Sequence, residues 1–579
     1  MSTTGQDVTR SAVPRPRAAG AVAGLLAAGT ALGVGELAAG LAGTSSPVIV
    51  VGDALVDNSP SWAKDLAIAL FGTYDKIALL TGVYSAVALL SAVLGALALR
   101  RPLTGYIGLA VFAAAGALAV TVRRTDEPLA VVPVLAGALA GEAALLLLLS
   151  SLRRTARPTG PVGGVFVPSA YGAPSAASGA AGGAGARSGG TSRSGASGEP
   201  GGGYPHRSPK HRGLAARAAG TAAEAASRRR FLATGAGVLA VAAASGGIGR
   251  FFASGRGVAD KRAALRLPAA AAPLPPLPNG TDLAVPGLPP FTTPNPDFYR
   301  IDTALTVPRV DPDRWRLRIH GMVDRPVELD YDALLRRALI ESDTALTCVS
   351  NQVGGDLAGN TRWLGVRLDD LLREAGVHSG ADQVLSTSQD GWTCGTPTEA
   401  VLDGRDAILA VAMNGEPLPF AHGFPVRMVV PGLYGFVSAT KWVTDIRLTR
   451  FADARAYWAQ RGWALKAPIK TMSRIDVPRP LEETKAGPTT VAGVAWAQRR
   501  GIEVVEVRVD GGTWREARLA EVPGIDTWVQ WSGEFDLRPG RHTFEVRATD
   551  NSGYTQTSKR VEPIPDGASG WHSVQITTV

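Results

Sequence analysis

Four long apolar runs in the first 150 residues constrain this chain more than any other feature. They extend over residues 18–42, 77–99, 103–122 and 129–149. Each has about the 20 residues that a helix needs to cross the hydrocarbon core of a bilayer. A spanning segment must satisfy its own backbone hydrogen bonds, which favours helices. The sequence therefore predicts an all-α transmembrane bundle at 1–154, in a multi-pass protein of the cell membrane with the lipid bilayer as a partner.

The charges around these runs predict the orientation of the chain. Arginines precede the first run and follow the second and fourth, at Arg10, Arg15, Arg17, Arg100, Arg101, Arg153, Arg154 and Arg157. The loop from Ser45 to Asp75 is net acidic, so the positive-inside rule places the N-terminus and the segment after Leu149 in the cytoplasm. Arg123 and Arg124 oppose this orientation and are outnumbered.

Residues 155–226 are rich in Gly, Ala, Ser, Pro and Arg and contain almost nothing that could build a core. This composition predicts a disordered linker. Although the formal net charge is +9, aromatic side chains do not alternate with the linker arginines as they would to stack on bases. The sequence therefore predicts no nucleic-acid partner.

A cationic hexapeptide, Ser227–Leu232, precedes an Ala- and Gly-rich apolar run at 233–248. Paired arginines before a Phe-Leu pair are typical of a twin-arginine export signal, here internal; an ordinary membrane helix with a cationic flank is the alternative. Either interpretation predicts a fifth transmembrane helix within 227–254 and places the remainder outside the cytoplasm. The proline-rich stretch 255–294 then predicts an extended spacer that lifts the next domain off the bilayer.

The chain has two cysteines, Cys348 and Cys394, which is too few for a disulfide framework. Cys348 follows a β-prone run and precedes a polar, glycine-rich loop, a plausible place for a thiolate metal ligand. A buried small hydrophobe, or a pair with Cys394, remains the alternative. Cys394 has no motif partner and is interpreted as structural.

Strands and short helices alternate through residues 295–455, which predicts an α+β domain. Trp315–Gly321 alternates apolar and polar residues as a half-buried strand does. Asp330 is expected to cap a helix over Tyr331–Leu339, and Gly376 to end a helix over Leu368–Ala375. A further predicted strand, Ala345–Val349, includes Cys348.

The segment from His422 to Val443 gathers cationic and hydroxyl side chains on glycine-rich loops. Such groups suit a phosphate or an anionic ring system, although they could also be surface charges on a β-meander. Beyond it, residues 470–579 carry short strands such as Ile502–Val509, with a hairpin turn at Asp510–Gly512. These predict an all-β immunoglobulin-like sandwich.

Several motifs together resemble the sulfite oxidase family of molybdopterin-dependent oxidoreductases: Cys348 in TCVSN, Trp363–Gly365, Asp390–Gly391, Asn414–Pro419 and His422–Trp442. The resemblance covers Asn295 to about Val579. It implies that Cys348 is the protein thiolate on molybdenum and the catalytic residue. It also implies that the molybdenum–molybdopterin cofactor (Moco) is held by Asn295, Tyr299, Arg300, Cys348, Ser388, His422, Arg427, Ser438, Thr440 and Lys441.

The chain departs from the family where sulfite and nitrate enzymes carry oxyanion-binding arginines. Gln352 and Val353 stand there instead. Each missing charge-assisted hydrogen bond is worth about 1.5 to 3 kcal/mol, so a less charged substrate is expected. The leading hypothesis is oxygen-atom transfer to or from a small S- or N-oxide, with a sulfite-type oxidase and a cofactor-free membrane-anchored scaffold as alternatives.

The electron carrier is expected to be a separate quinone or cytochrome. No histidine occurs in residues 1–205, which excludes a bis-histidine haem in the predicted bundle. The resemblance further implies a homodimer formed through the C-terminal domain.

Overall fold

The computed structural model describes residues 16–60, 66, 70–71, 75–122, 129–153, 210–253 and 256–579. The greater part of the predicted linker, 155–209, lies outside these residues. So do Arg10, Arg15, Arg123, Arg124, Arg154 and Arg157, on which the predicted orientation partly depends. The described chain divides into two units, which are treated separately: residues 1–34, 85–112 and 136–245, and residues 35–84, 113–135 and 246–579.

The N-terminal half is helical, as predicted. Its helices are α1 (Pro16–Ala42), α2 (Pro47–Asn58), α3 (Asp75–Ala98), α4 (Pro102–Val122), α5 (Val131–Arg153) and α6 (Lys210–Ala253). Within the described residues, five helices are long and apolar enough to cross a membrane, and the fifth such segment begins at Arg228. In the first unit α1 and α3 approach so closely that a Cβ on Gly24 would lie 2.0 Å from the Ser91 carbonyl oxygen. Small residues permit such contacts between helices in lipid.

Helix α6 corrects the predicted boundary of the linker. Lys210 to Ala226 was expected to be disordered, but the helix already begins at Lys210. This stretch is alanine-rich, and alanine has the highest intrinsic helix propensity. The arginines of the twin-arginine-like motif, Arg228–Arg230, lie exposed in the middle of α6.

The predicted spacer does not run free of the following domain but packs against it. A short helix, α7 (Arg256–Ala264), comes first. The proline-rich chain then pairs with its neighbour, because Ala271 N–H donates to the Leu339 carbonyl at 2.8 Å and Leu274 N–H to the Glu341 carboxylate at 2.8 Å. Polyproline segments make no internal hydrogen bonds, which leaves their polar groups free for such contacts.

The central region contains two five-stranded sheets with short helices between strands. In chain order its elements are β1 (Arg316–Gly321), β2 (Val327–Asp330), α8 (Tyr331–Leu335), β3 (Leu339–Thr347), β4 (Ala358–Arg367), α9 (Leu368–Ala375), β5 (Gln383–Ser388), β6 (Thr393–Pro397), α10 (Thr398–Leu402), β7 (Ile408–Met413), β8 (Glu416–Pro417), β9 (Arg427–Val429) and β10 (Val443–Thr449). One sheet has the order β2-β1-β10-β5-β6; the other has β3-β4-β7-β8, with β9 also paired to β7. This is the predicted α+β region.

Local signals in the sequence set several of these boundaries. The Asp330 carboxylate accepts a hydrogen bond from Ala333 N–H at 2.7 Å, which confirms the predicted helix cap. Gly376 ends α9 in the left-handed conformation, with φ of 71°, a conformation that favours glycine. Helix α8 ends at Leu335 instead of Leu339, because Leu339 begins β3.

The C-terminal region is all-β. Its strands are β11 (Met472–Val477), β12 (Glu483–Thr484), β13 (Gly487–Trp496), β14 (Ile502–Val509), β15 (Arg515–Glu516), β16 (Arg518–Leu519), β17 (Val529–Leu537), β18 (Gly540–Asp550) and β19 (His572–Thr578). They form a sheet of order β11-β13-β17-β16 and another of order β12-β19-β18-β14-β15. Both sheets contribute side chains to one apolar core, which includes Trp531 and Phe544. Strands β11 and β19 were not predicted.

Candidate active site

Cys348 follows the last residue of β3 and begins a tight turn. Its N–H donates to the Leu357 carbonyl at 2.9 Å, and its carbonyl accepts from Asn351 N–H at 3.1 Å. Cys348 and Cys394 are both free thiols, so the alternative of a disulfide between them is excluded. Burial raises the pKa of the Cys348 thiol, although hydrogen bonds from Ser350 oppose the shift. A thiolate at this position therefore calls for a metal cation to stabilise it.

A cleft of about 930 Å³, open solvent at its mouth included, opens beside this cysteine. Six of the residues predicted to bind the cofactor line it: Tyr299, Cys348, Ser388, His422, Arg427 and Lys441. They come from separate loops and from the starts and ends of strands in both central sheets. The fold thus brings together the Cys348 turn and the His422–Lys441 segment, as the resemblance implied.

Arg427 is the most deeply buried cation of the cleft. Arg427 is the first residue of β9 and is 5% exposed. Its guanidinium carbon lies 4.9 Å from the centre of the Trp363 ring. Its Nη1 donates to the His422 carbonyl at 3.2 Å, whereas its Nε finds no partner among the residues that the structure describes. Burial lowers the pKa of Arg427 to about 10. An anion in the cleft would relieve this cost of desolvation.

Lys441 and His422 lie on the same side of the cleft. The Lys441 ammonium contacts the Asp302 carboxylate at 2.7 Å, and burial lowers the pKa of this lysine to about 8 despite that carboxylate. His422 Nε2 donates to the Asn295 carbonyl at 3.2 Å. Burial, reinforced by Arg427 and Lys441, lowers the pKa of His422 to about 4, so its imidazole is neutral at pH 7.

The donors of the cleft fit an anionic ligand rich in acceptor atoms. Besides Arg427 Nε, the buried Trp392 Nε1 and Ser388 Oγ have no hydrogen-bond partner within the described residues. Buried polar groups are normally satisfied, and orphaned ones at a cleft indicate a missing ligand. The set therefore matches a pterin that carries a phosphate, with Cys348 as a soft ligand for its metal.

Four predicted binding residues have side chains that lie elsewhere. Ser438 Oγ donates to the carbonyls of Leu433 and Tyr434, both at 3.0 Å, and Thr440 Oγ1 lies 2.7 Å from Ser386 Oγ. Both hydroxyls are fully buried and bond within the domain because a buried hydroxyl without a partner is costly. Neither residue is among those that line the cleft.

Asn295 and Arg300 lie behind the cleft wall or at its edge. Asn295 Nδ2 donates to the Met413 carbonyl at 3.1 Å, and its Oδ1 accepts from Asn414 at 3.0 Å. Arg300 is 38% exposed, and its Nε donates to Asp302 at 2.8 Å. Asn295 therefore contacts the cleft residue His422 through its backbone carbonyl. Arg300 contacts the cleft residue Asp302 through its guanidinium.

Sequence reasoning missed several residues of the cleft. Asp302 holds Lys441, and Trp392, Trp458, Trp463 and Phe436 supply apolar walls. Trp458 and Trp463 were overlooked because the predicted domain ended at residue 455. Asp302 could have been found as a carboxylate close to Tyr299 and Arg300, since a buried lysine needs a counter-ion.

Gln352 and Val353 stand where the resemblance led us to expect oxyanion-binding arginines. Val353 is buried and Gln352 is exposed. Among the described residues that line the cleft, Arg427 is the one arginine.

Comparison with known proteins agrees with this site. The family model "Oxidoreductase molybdopterin binding domain" matches residues 304–458. The uncharacterized oxidoreductase YuiH of Bacillus subtilis is 35% identical over 27% of this chain and 75% of its own length. Mitochondrial sulfite oxidase of Homo sapiens is 28% identical over 49% of this chain and 62% of its length. The solved structure of the sulfane dehydrogenase SoxCD from Paracoccus pantotrophus is 24% identical, with a TM-score of 0.43, and covers 50% of this chain and 81% of its own.

Fold, cleft and family model together define a molybdenum-dependent oxidoreductase with a molybdopterin cofactor. More narrowly, the chain belongs to the sulfite oxidase family of these enzymes. It spans about three fifths of the length of the human sulfite oxidase, 62%.

Proposed function

We propose that the chain is a membrane-tethered, extracytoplasmic enzyme that transfers an oxygen atom to or from a small S- or N-oxide and exchanges electrons with an external carrier. The observation that supports this most is the cleft itself. It combines the Cys348 thiol, orphaned buried donors and apolar walls, and Arg427 is the one arginine among its described lining residues.

Cys348 would bind molybdenum, and Tyr299, Ser388, His422, Arg427 and Lys441 would hold the pterin and its phosphate. Asn295, Arg300, Ser438 and Thr440 would support them from behind the cleft wall. When bound, the cofactor supplies two-electron oxygen-atom transfer, and the protein supplies orientation and electrostatics. In the reducing direction, each S-oxide takes up two electrons and two protons and yields a sulfide and water.

Tyr299 is suited to hold a proton in the cleft. Burial and the nearby Cys348 raise the pKa of its phenol well above the usual range, although Arg427 opposes this. The phenol therefore stays protonated at neutral pH and can donate a hydrogen bond to a polar substrate oxygen. A neutral S-oxide needs such a donor, whereas it does not need a second guanidinium.

The apolar walls favour a substrate with hydrocarbon groups beside its oxide. Trp458, Trp463 and Phe436 form a contiguous set, with Phe436 and Trp463 ring centres 5.8 Å apart and the two tryptophans 6.1 Å apart. Aromatic surfaces of this kind bind apolar groups and thioethers well. Sulfite, a small doubly charged oxyanion, gains little from them.

Sulfite oxidation is the second candidate, because the match to animal sulfite oxidases extends over about half of this chain, 49% with the human enzyme. Steady-state assays separate the two. We expect reduction of dialkyl or methionine S-oxides with a reduced viologen dye, and weak sulfite oxidation with ferricyanide. Efficient sulfite oxidation without S-oxide reduction would reverse the assignment.

The remaining parts of the proposal concern architecture. We propose five membrane spans, with 1–154 as a helical bundle, a linker that ends where α6 begins at Lys210, and 227–254 as an uncleaved twin-arginine-like anchor within α6. Residues 255–294 connect it to the catalytic domain at 295–455, and 470–579 form an immunoglobulin-like sandwich that mediates a homodimer. A quinone or cytochrome would carry electrons.

Elemental analysis of the detergent-purified chain tests the cofactor directly. We expect about one molybdenum per chain together with a fluorescent pterin oxidation product. A metal-free chain, folded and expressed where molybdopterin is made, would favour the cofactor-free scaffold.

A further inference from the structure

The segment between the first two apolar helices contacts the rim of the cleft within one structural unit. Lys76, at the start of α3, donates from Nζ to the Asp302 carboxylate at 3.2 Å, to the Asp302 carbonyl at 3.0 Å and to the Ala304 carbonyl at 2.7 Å. Three contacts from one ammonium fix both the side chain and the backbone of the segment that includes Asp302.

Asp302 in turn holds a residue of the cofactor site. It is a lining residue of the cleft, and its side chain is 5% exposed. Its carboxylate contacts Lys441 Nζ at 2.7 Å and Arg300 Nε at 2.8 Å. Burial favours the neutral acid, but Lys441, Arg300 and Lys76 overcome it and hold the pKa of Asp302 well below its usual range. The carboxylate is therefore ionised and shared among three cations.

A second contact lies on another part of the rim. Asp57, near the end of α2, accepts a hydrogen bond from the Tyr457 hydroxyl at 2.9 Å and lies 3.6 Å from Arg461 Nη2. The Arg461 guanidinium carbon is 3.5 Å from the centre of the Tyr457 ring. Tyr457 directly precedes Trp458, which forms part of the apolar wall.

Close packing lies between these polar contacts. Gly52 of α2 faces Leu305, and a Cβ added at Gly52 would lie 2.8 Å from Leu305 Cδ1. A larger residue there would have to displace Leu305 or the helix. Helix α2 thus complements the surface of the domain in shape as well as in charge.

We propose that residues 47–60 with Asp75 and Lys76, named here the docking segment, brace the cleft. Lys76 is a positioning residue that fixes Asp302 and, through it, Lys441, while Asp57 fixes the Tyr457–Trp458 wall. The role given to Lys441 rests on the proposed function. Because α3 begins at the docking segment and is apolar enough to span a bilayer, the brace places the rim beside the end of that helix.

The test compares full-length, detergent-purified Lys76→Met, Lys76→Arg and the control Lys466→Met with the unchanged chain. Lys466 is also an ion-paired lysine, 2.8 Å from Glu399, but its side chain is 57% exposed. Two quantities are measured: the rate at which molybdenum and pterin are lost on dialysis, and amide hydrogen exchange in peptides covering residues 299–306.

We expect Lys76→Met to lose the cofactor about fivefold faster, because one partly exposed charged contact is removed, and to exchange faster at 302–305. Lys76→Arg should restore both values, and Lys466→Met should change neither. Unchanged exchange and unchanged cofactor retention in Lys76→Met would overturn the proposal.

Two additional outcomes keep the proposal separate from the proposed function. Hydrogen exchange at 299–306 does not depend on turnover, so an altered rate in Lys76→Met supports the brace even if no S-oxide is reduced. If Lys76→Met does not fold, Asp57→Asn serves instead. Faster exchange at 456–459 in that variant supports the brace, and an unchanged rate contradicts it.

Discussion

The cleft and the C-terminal sheets each contain a buried charged side chain, but the two differ in whether the surrounding chain compensates the charge. In the sheets, the fully buried Asp550 accepts hydrogen bonds from Thr471 Oγ1 at 2.5 Å and from Arg500 Nε at 2.8 Å. In the cleft, Arg427 is also buried but contacts a carbonyl and an aromatic ring, and its Nε has no partner in the described part of the chain.

The difference separates structural charge from functional charge. The chain compensates Asp550 by itself, and the hydrogen bonds from Ser552, Thr471 and Arg500 hold the pKa of that carboxyl well below its usual range, against the effect of burial. Arg427 awaits compensation from a ligand, and burial alone sets the direction of its pKa shift. Removal of a compensated charge should cost stability, whereas removal of an uncompensated one should cost ligand binding.

The largest expected effect concerns the thiol of the cleft. Cys348→Ser should lower oxygen-atom transfer by about three orders of magnitude, because a metal centre supplies several kcal/mol of transition-state stabilisation. Initial rates with matched molybdenum content measure it. The control is Cys394→Ser, whose parent thiol is fully buried and lies 3.8 Å from Thr396 Oγ1. Full turnover by Cys348→Ser is incompatible with the assignment.

A pair of substitutions tests the comparison itself. Asp550→Ala should lower the free energy of unfolding by about 3 to 5 kcal/mol, since it leaves Arg500 and two hydroxyls without their acceptor. Arg427→Met should leave the stability of the cofactor-free chain unchanged or raise it, because an unpaired buried charge is removed. The same variant should lose most of its bound pterin.

Urea unfolding followed by tryptophan fluorescence, with pterin content measured in parallel, gives both quantities. A large loss of stability in cofactor-free Arg427→Met would show that the chain compensates this guanidinium after all. Normal pterin content in that variant would remove Arg427 from the binding site.

Sequence reasoning reached the elements of the fold better than the directions of side chains. The apolar runs, the Asp330 cap and Gly376 follow local rules of length, capping and backbone conformation, and the structure confirms them. Ser438 and Thr440 follow no such rule. Their spacing fits the family, but their hydroxyls bond within the domain.

Long-range contacts were the other limit. The proline-rich stretch looked like a spacer because nothing in its own composition indicates that Leu339 and Glu341 complete its hydrogen bonds. Asp302 was missed for a related reason, since two of its three cationic partners, Lys76 and Lys441, are distant in sequence and only Arg300 is near. Compensation between remote residues is a property of the folded chain.

The smallest effect concerns pH and joins the two regions. His572 lies in the C-terminal sheets, accepts a hydrogen bond from Ile475 N–H through Nδ1 at 3.0 Å, and touches the loop after Cys348, since a Cβ on Gly354 would lie 2.3 Å from its ring. Burial, with Arg474 and Arg560, lowers its pKa to about 4. As pH falls, the imidazole of His572 is therefore protonated in the unfolded chain before it is protonated in the folded chain.

Because the folded pKa of His572 is depressed, its contribution makes stability decline as pH falls from about 6.5 to 4, by roughly 2 to 3 kcal/mol. His572→Gln should flatten this part of the profile, measured as urea unfolding at several pH values. The control, His542→Gln, should act in the opposite sense. The Arg538 carbonyl and Asp510 raise the pKa of His542, so its contribution is present below about pH 6.5 and is lost as pH rises through the folded pKa. An unflattened profile in His572→Gln would show that the buried imidazole of His572 does not set this pH dependence. The contrast between a compensated and an uncompensated buried group would then rest on Asp550 and Arg427 alone.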